Sequence, residues 1–241
     1  MADYTLYYWP LPFRGEFVKI VLAHAGASCE EASTTDLQTQ MRAAPRDQFI
    51  PHIGPPVLTD HSAGVSISQT QAILIYLGRK HDLIPADPLL EALTSKLIAD
   101  ANDVLYEMTL YNGAQMWTQD TWNDYQPRLA RWMRVFEELG RRHGLSPAKG
   151  NMLGTDELGI ADLVTYALWG VMTVKLPVLR PLFEETSPAI AALCDRIANR
   201  PEQERVRKQS DADYGEEWCS GEIEASLRLA LGLPKAKNPF M

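Results

Sequence analysis

Two short stretches of this 241-residue chain carry side chains that could do chemistry on a small molecule. The first is Tyr7-Tyr8, closing an aromatic, Thr-containing run from Tyr4 that Trp9-Pro10-Leu11-Pro12 brings to a stop. A phenol keeps its proton up to about pH 10, so a strand-end tyrosine can donate a hydrogen bond without ionising. Successive strand side chains point to opposite faces, which lets only one of the pair face a site; both packing in a sheet is the ordinary alternative. The second stretch is Gln69-Thr70, behind Ser68, where a strand-like run gives way to helical spacing. Exposed amides and a hydroxyl at a helix N-terminus suit a carboxylate, although a simple helix cap uses the same residues. Between the two, Pro55-Pro56 reads as a rigid turn and a cheap place for a cis peptide.

Other chemistries find little support. Cys29, Cys194 and Cys219 are odd in number, far apart and form no CxxC, against a disulfide framework, a zinc ribbon or a dithiol centre and in favour of a reducing compartment. His24, His52, His61, His81 and His143 have no ligand spacing, and there is no HExxH or P-loop. The balance of 23 basic and 31 acidic residues, net −8, has no concentrated basic stripe, which argues against nucleic acid or an anionic membrane as main partner. Arg128, Arg131 and Arg134, spaced by three, read as a solvated helix face. The first residues lack the basic region of a signal peptide, and the longest apolar stretch, Leu163 to Val174, suits a buried helix; a cytoplasmic protein is expected. At 46% hydrophobic residues the chain can build a real core, with a folded surface of roughly 11,000 Å².

The elements that must position these residues fall into two parts. After the Tyr4 run, Phe17, Val18, Ile20, Val21 and Leu22 keep helical spacing up to Gly26, a C-cap candidate. A polar stretch follows through Asp47. Val57-Leu58 and Val65-Ser66-Ile67 flank a hairpin turn, and a helix carrying Ile73, Leu74, Tyr76 and Leu77 follows Thr70. The order β, α, then β, β, α makes an α/β unit of about eighty residues. Beyond the Pro-rich link Leu83 to Pro88 the period changes. Leu89 to Trp117 and Trp122 to Arg142 read as long bundle helices, with further helices over Gly159 to Val174, Pro188 to Ala198 and Glu222 to Leu231. The second part is therefore all-helical.

An α/β unit joined by a proline-rich link to a helical domain resembles the cytosolic glutathione transferase superfamily, over nearly the whole chain. YTLYYWPLPFRG, residues 4–15, looks like the first strand and catalytic loop of its tyrosine-type classes, with a longer loop than the mammalian enzymes have. Pro55-Pro56-Val57-Leu58 resembles the cis-proline before the third strand, and Ser68-Gln69-Thr70 the Gln-Ser motif that opens the third helix, with Thr for Ser. Ile160-Ala161-Asp162-Leu163 resembles the start of the core helix, where Gly159 stands in place of a Ser or Thr cap and would lose the reciprocal capping box. PAIAALCDRIANRP, residues 188–201, resembles the penultimate helix.

The resemblance implies a thioredoxin-like glutathione-binding domain over residues 1–84, a linker over 85–90 and an all-α helical-bundle domain over 91–241. It implies an alkyl or aryl transferase that takes glutathione as cosubstrate, needs no metal or redox cofactor, works on a small hydrophobic electrophile and forms a homodimer. A free thiol near pKa 8.5 is only a few per cent ionised at pH 7, so such an enzyme must stabilise the thiolate. The family motif puts Tyr8 in that role and excludes Tyr7. Gln69 and Thr70 would hold the γ-glutamyl carboxylate, and Pro56 would be the cis-proline. Pro55 would offer its carbonyl to the cysteinyl part of glutathione but, lacking an N–H, not the second bond that relatives make. Arg14 matches the loop arginine; Arg46, or its neighbour Arg42, lies where the family offers a cation to the glycyl carboxylate; Glu107 aligns with an acid that reaches the γ-glutamyl amine of the partner subunit. Trp9, Tyr111, Met116 and Trp117 are candidate walls of the electrophile pocket, and the tail around Trp218 or Phe240 a candidate lid. Glutathione-dependent isomerisation, ether cleavage or dehalogenation on the same scaffold, or a non-catalytic binding or structural role, are the rival expectations.

Overall fold

The structure, a computed structural model, describes residues 2–238. Four strands form one mixed sheet in the order β2-β1-β3-β4: β1 (Tyr4–Tyr7), β2 (Cys29–Glu31), β3 (Val57–Asp60) and β4 (Val65–Ser68). β1 and β2 run parallel, while β1/β3 and β3/β4 are antiparallel. Tyr4 and Leu6 on β1 and Leu58 on β3 are buried against α1 (Phe13–His24) and α3 (Thr70–Lys80), whose Phe17, Val18, Val21, Ile73, Leu74 and Leu77 complete that layer. α2 (Thr34–Arg42) buries only Leu37. β2 and α2 have no counterpart among the elements expected from sequence, because a three-residue strand and a helix with one buried position carry no periodicity.

The helical part opens with α4 (Pro88–Met108), where the Asp87 carboxylate accepts the Leu89 and Leu90 N–H groups and Pro88 occupies the first turn. The apolar pattern read as one helix to Trp117 breaks at Thr109. Leu110, Tyr111, Asn112 and Gly113 all have positive φ, a left-handed turn whose Asn112 N–H bonds to the Thr109 hydroxyl. Further helices follow over Gln119–Arg142, Ile160–Lys175 with a wide turn at Tyr166–Gly170, Arg180–Thr186, Pro188–Ala198, Pro201–Tyr214 and Gly221–Ala230. Those over Arg180–Thr186 and Pro201–Tyr214 were not expected; the first is seven residues long and the second buries only Gln203, Ser210 and Tyr214. Trp169 packs between Phe136 and Phe183 at the centre of this part.

Backbone approach ties the two parts together. Ile160 donates its N–H to the Leu83 carbonyl, and a Cβ on Gly159 would lie 2.7 Å from that oxygen. Glycine at this position is thus a close-approach residue. Half of the capping box survives, because Asp162 accepts the Gly159 N–H as well as that of Met152. Gln203 donates to the Ile20 carbonyl of α1. Among the described residues no single helix is long and apolar enough to cross a membrane.

Candidate functional site

Tyr8 lies one residue beyond β1 and continues the face of Tyr4 and Leu6, as a period of two requires. It is 7% exposed at the floor of a cleft of about 610 Å³ between the α/β and helical parts. Its hydroxyl oxygen accepts the Arg14 N–H at 3.1 Å. One lone pair is thereby engaged, and the hydroxyl proton remains free to be donated into the cleft. Burial pushes the Tyr8 phenol up to about 12, although the Arg14 guanidinium and N–H both act to lower it. It therefore stays a neutral donor at physiological pH. Tyr7 points the other way, its ring 5.3 Å edge-on to Phe49.

Gly15 explains how Tyr8 fits beneath α1: a Cβ there would come within 2.5 Å of the Tyr8 ring. Arg14 reaches across the cleft, its Nε bonding to the Asn102 side-chain oxygen at 3.2 Å and its Nη2 to that of Asn112 at 3.4 Å. On the opposite wall the Pro55–Pro56 peptide is cis. Gln69 precedes α3 with φ of 74°, a conformation that costs a non-glycine residue of order 1–3 kcal/mol and persists only where the surroundings impose it. Among the described residues neither the Gln69 amide nor the Thr70 hydroxyl has a hydrogen-bond partner, and both line the cleft at the positive end of α3.

Of the residues singled out from sequence, the cleft thus gathers Tyr8, Trp9, Arg14, Pro55, Pro56, Gln69 and Thr70. The others lie elsewhere. Arg46 is 88% exposed beside Asp47 and is not among the cleft-lining residues; nor is Arg42. The Glu107 carboxylate is taken up by Arg128 and the Trp132 indole N–H on the neighbouring helix. Asp103, one turn earlier on α4, faces the cleft instead, with Asn102 and Tyr106. The left-handed turn after Thr109 swings the following chain away. Trp117 is buried with its Nε1–H on the Met108 carbonyl, and Met116 lies exposed beside Ser226. Tyr111 is half exposed behind Tyr106. Trp218 is buried behind the cleft wall, and Phe240 lies outside the described residues.

Several cleft residues had no sequence signal strong enough to find them. Cys219 and Ile223 arrive from the far end of the chain, Asn102, Asp103 and Tyr106 from one face of α4, and Asn112 from the left-handed turn. Only the spacing of Asn102, Asp103 and Tyr106 on one helix face could have suggested them. Burial raises the Cys219 thiol well above its ordinary value, which keeps it protonated. Among the described residues there is no group of His, Cys, Asp or Glu that could hold a metal ion.

Residues 93–230, more than half of the chain, match the family model for the glutathione S-transferase C-terminal domain. The chain belongs to the glutathione S-transferase family. A glutathione S-transferase P from Capra hircus is 27% identical over 208 residues, covering 83% of this chain and 90% of its own. A glutathione S-transferase from Plasmodium falciparum is 21% identical over 202 residues, covering 82% and 91%. Among solved structures, a pi-class glutathione S-transferase of Onchocerca volvulus superposes with a TM-score of 0.68 at 20% identity, covering 87% of this chain and 94% of its own. The glutathione S-transferase fold, a thioredoxin-like four-stranded unit followed by a helical domain, is thereby shared, although few individual residues are.

Proposed function

We propose that this chain is a glutathione transferase in which Tyr8 donates a hydrogen bond to the sulfur of bound glutathione and stabilises it as thiolate. The observation that carries the reading is the Tyr8 hydroxyl: buried, neutral, anchored through its oxygen by the Arg14 N–H, and open to the cleft with its proton. Gln69, Thr70 and the amides of the α3 N-terminus receive the γ-glutamyl carboxylate. Asp103, the carboxylate lining the cleft, takes the γ-glutamyl amine, and the Pro55 carbonyl accepts the cysteinyl N–H. The thiolate then attacks a small apolar electrophile held against Trp9, Phe13, Tyr106 and Ile223. A carbon–sulfur bond forms, and a leaving group departs with the bonding electrons or, in an addition, the adjacent carbon takes up a proton.

The family membership carries with it the expectation of a homodimer and of a cytoplasmic setting. Titration of glutathione by calorimetry, with conjugation of a generic aromatic electrophile assayed for wild type and Tyr8→Phe, tests the reading. Binding with Tyr8-dependent turnover is expected. A protein that does not bind glutathione overturns it.

A further inference from the structure

The C-terminal helix Gly221–Ala230 carries a buried ion pair, Glu224 with Arg228. Glu224 is 2% and Arg228 3% exposed, and their side chains meet at 2.7 Å. The second Glu224 oxygen accepts three consecutive backbone N–H groups, from Trp218, Cys219 and Ser220, at 2.8, 2.8 and 2.6 Å. Arg228 meanwhile donates to the Lys175 and Glu216 carbonyls. One carboxylate thus gathers the whole loop that precedes its own helix, in which Ser220 is held at φ of 59°. Bonds from three N–H groups to a buried charge are strong and directional, and they hold the loop in the arrangement seen.

That loop aims Trp218 at the other end of the chain. Its ring, 1% exposed, stands edge-on to Phe13 at 5.1 Å and 85°. Phe13 itself has φ of 31°, strained for a side-chain-bearing residue, with the Arg14 guanidinium 4.8 Å from its ring. The peptide that follows Phe13 carries the Arg14 N–H, the group that anchors the Tyr8 hydroxyl oxygen. A strained dihedral persists only where neighbours over-determine it, and the Trp218 edge is the neighbour contributed from 205 residues away.

We propose that Trp218, held by Glu224 and Arg228, is a positioning residue for thiol activation. It pins Phe13 so that the Arg14 N–H meets Tyr8, and so sets the direction and acidity of the Tyr8 hydroxyl proton. The proposal rests on the thiol-activating reading above and adds to it that the C-terminal helix tunes the bound thiol without touching it.

The test is the pH titration of the thiolate ultraviolet band in the glutathione complex, with kcat and KM for glutathione. Trp218→Leu is expected to raise the bound-thiol pKa by about half a unit to one unit. It should lower kcat near neutral pH several-fold and leave KM for glutathione within about two-fold. Trp218→Phe, which keeps an aromatic edge, is expected to restore the wild-type pKa. In a Tyr8→Phe background Trp218→Leu should change nothing further, whereas a general loosening of the fold would lower activity in both. Phe13→Leu removes the same contact from its other side and should give a shift of the same sign, so the proposal stays testable if Trp218→Leu does not fold. A wild-type complex that ionises glutathione, with Trp218→Leu and Phe13→Leu leaving that ionisation unmoved, overturns the inference alone. A wild-type protein that neither binds nor ionises glutathione overturns the proposed activity and this inference with it.

Discussion

Replacing Tyr8 by phenylalanine removes a single oxygen atom, and the structure sets what that atom does. It accepts the Arg14 N–H and leaves its own proton for the cleft. A hydrogen bond to a charged acceptor contributes about 1.5–3 kcal/mol, and one pKa unit corresponds to about 1.4 kcal/mol. The bound thiol pKa should therefore rise by about 1–2 units in Tyr8→Phe. With a two-unit rise from about 6.5, the thiolate fraction at pH 6.5 falls from about a half to about one per cent, roughly a 50-fold loss of kcat. The loss must shrink as pH rises, because above about pH 9 both proteins hold mostly thiolate. Tyr8 itself, pushed up to about 12, stays protonated throughout that range. Phenylalanine also leaves the Arg14 N–H without its acceptor, which costs about 1 kcal/mol of stability and lowers Tm by a few degrees in a chain of this length. The assay is conjugation rate against pH, beside the thiolate titration of the binary complex and a melting curve. Tyr7→Phe, whose ring packs on Phe49 across the sheet, is the control. Equal losses in the two variants, or a Tyr8→Phe deficit that does not narrow at high pH, would refute the reasoning.

Three further outcomes follow from particular contacts. Gly15→Ala should cut kcat about ten-fold, since its Cβ would fall 2.5 Å from the Tyr8 ring and displace it; full activity in that variant would mean that the ring position is not critical. Asp103→Asn should weaken glutathione binding about ten-fold by calorimetry, about 1.4 kcal/mol, whereas Glu107→Gln should leave the affinity unchanged and lose only its Arg128 and Trp132 bonds. The reverse ranking would return the amine contact to Glu107. Asp60 is buried, which by itself would raise its pKa, but bonds from Lys80, Ser62, Tyr76 and the Ala63 N–H outweigh burial and hold the carboxyl well below the usual range. A folded pKa below the unfolded value of about 3.9 contributes stability in full above that value, lost as pH falls below it. Asp60→Asn should cost about 2 kcal/mol at pH 7 and flatten the acid limb of the denaturant midpoint against pH; an unchanged limb would remove Asp60 from the acid response.

On the α/β side of the cleft, Tyr8, Pro55, Pro56, Gln69 and Thr70 were legible because they sit where local signals change, whereas Arg42 and Arg46 lie outside it and Leu11, Phe13, Ile53 and Gly54 gave no signal. Tyr8 ends an aromatic strand at a Trp-Pro stop, Pro55 and Pro56 open a strand, and Gln69 and Thr70 begin a helix. Each feature is encoded within a few neighbouring residues. The opposite wall was not legible. Glu107 and Asp103 are both acids on α4, and which one faces the cleft depends on Arg128 and Trp132 of another helix reaching Glu107. Met116 and Trp117 continue an apolar pattern on paper, yet four consecutive residues of positive φ turn the chain before them. Of those four Asn112 and Gly113 tolerate that conformation and Leu110 and Tyr111 do not, so Asn112-Gly113 is the one local trace of the turn, and the apolar spacing on either side of it hides the break.

The strongly periodic elements and the change of period at the proline-rich link were determined by the sequence by itself, whereas the choice of Tyr8 over Tyr7 came from likeness to the family motif. The periodic elements depend on backbone preference and on the alternation of apolar side chains, which act over a few residues. Only the tertiary structure decided that Cys219 and Ile223 close the cleft, that glycine at 159 makes room for the Leu83 carbonyl, and that Trp218 meets Phe13. Those contacts join residues tens to hundreds of positions apart. Their geometry follows from how whole helices dock, a property of the summed packing that no local stretch of chain encodes.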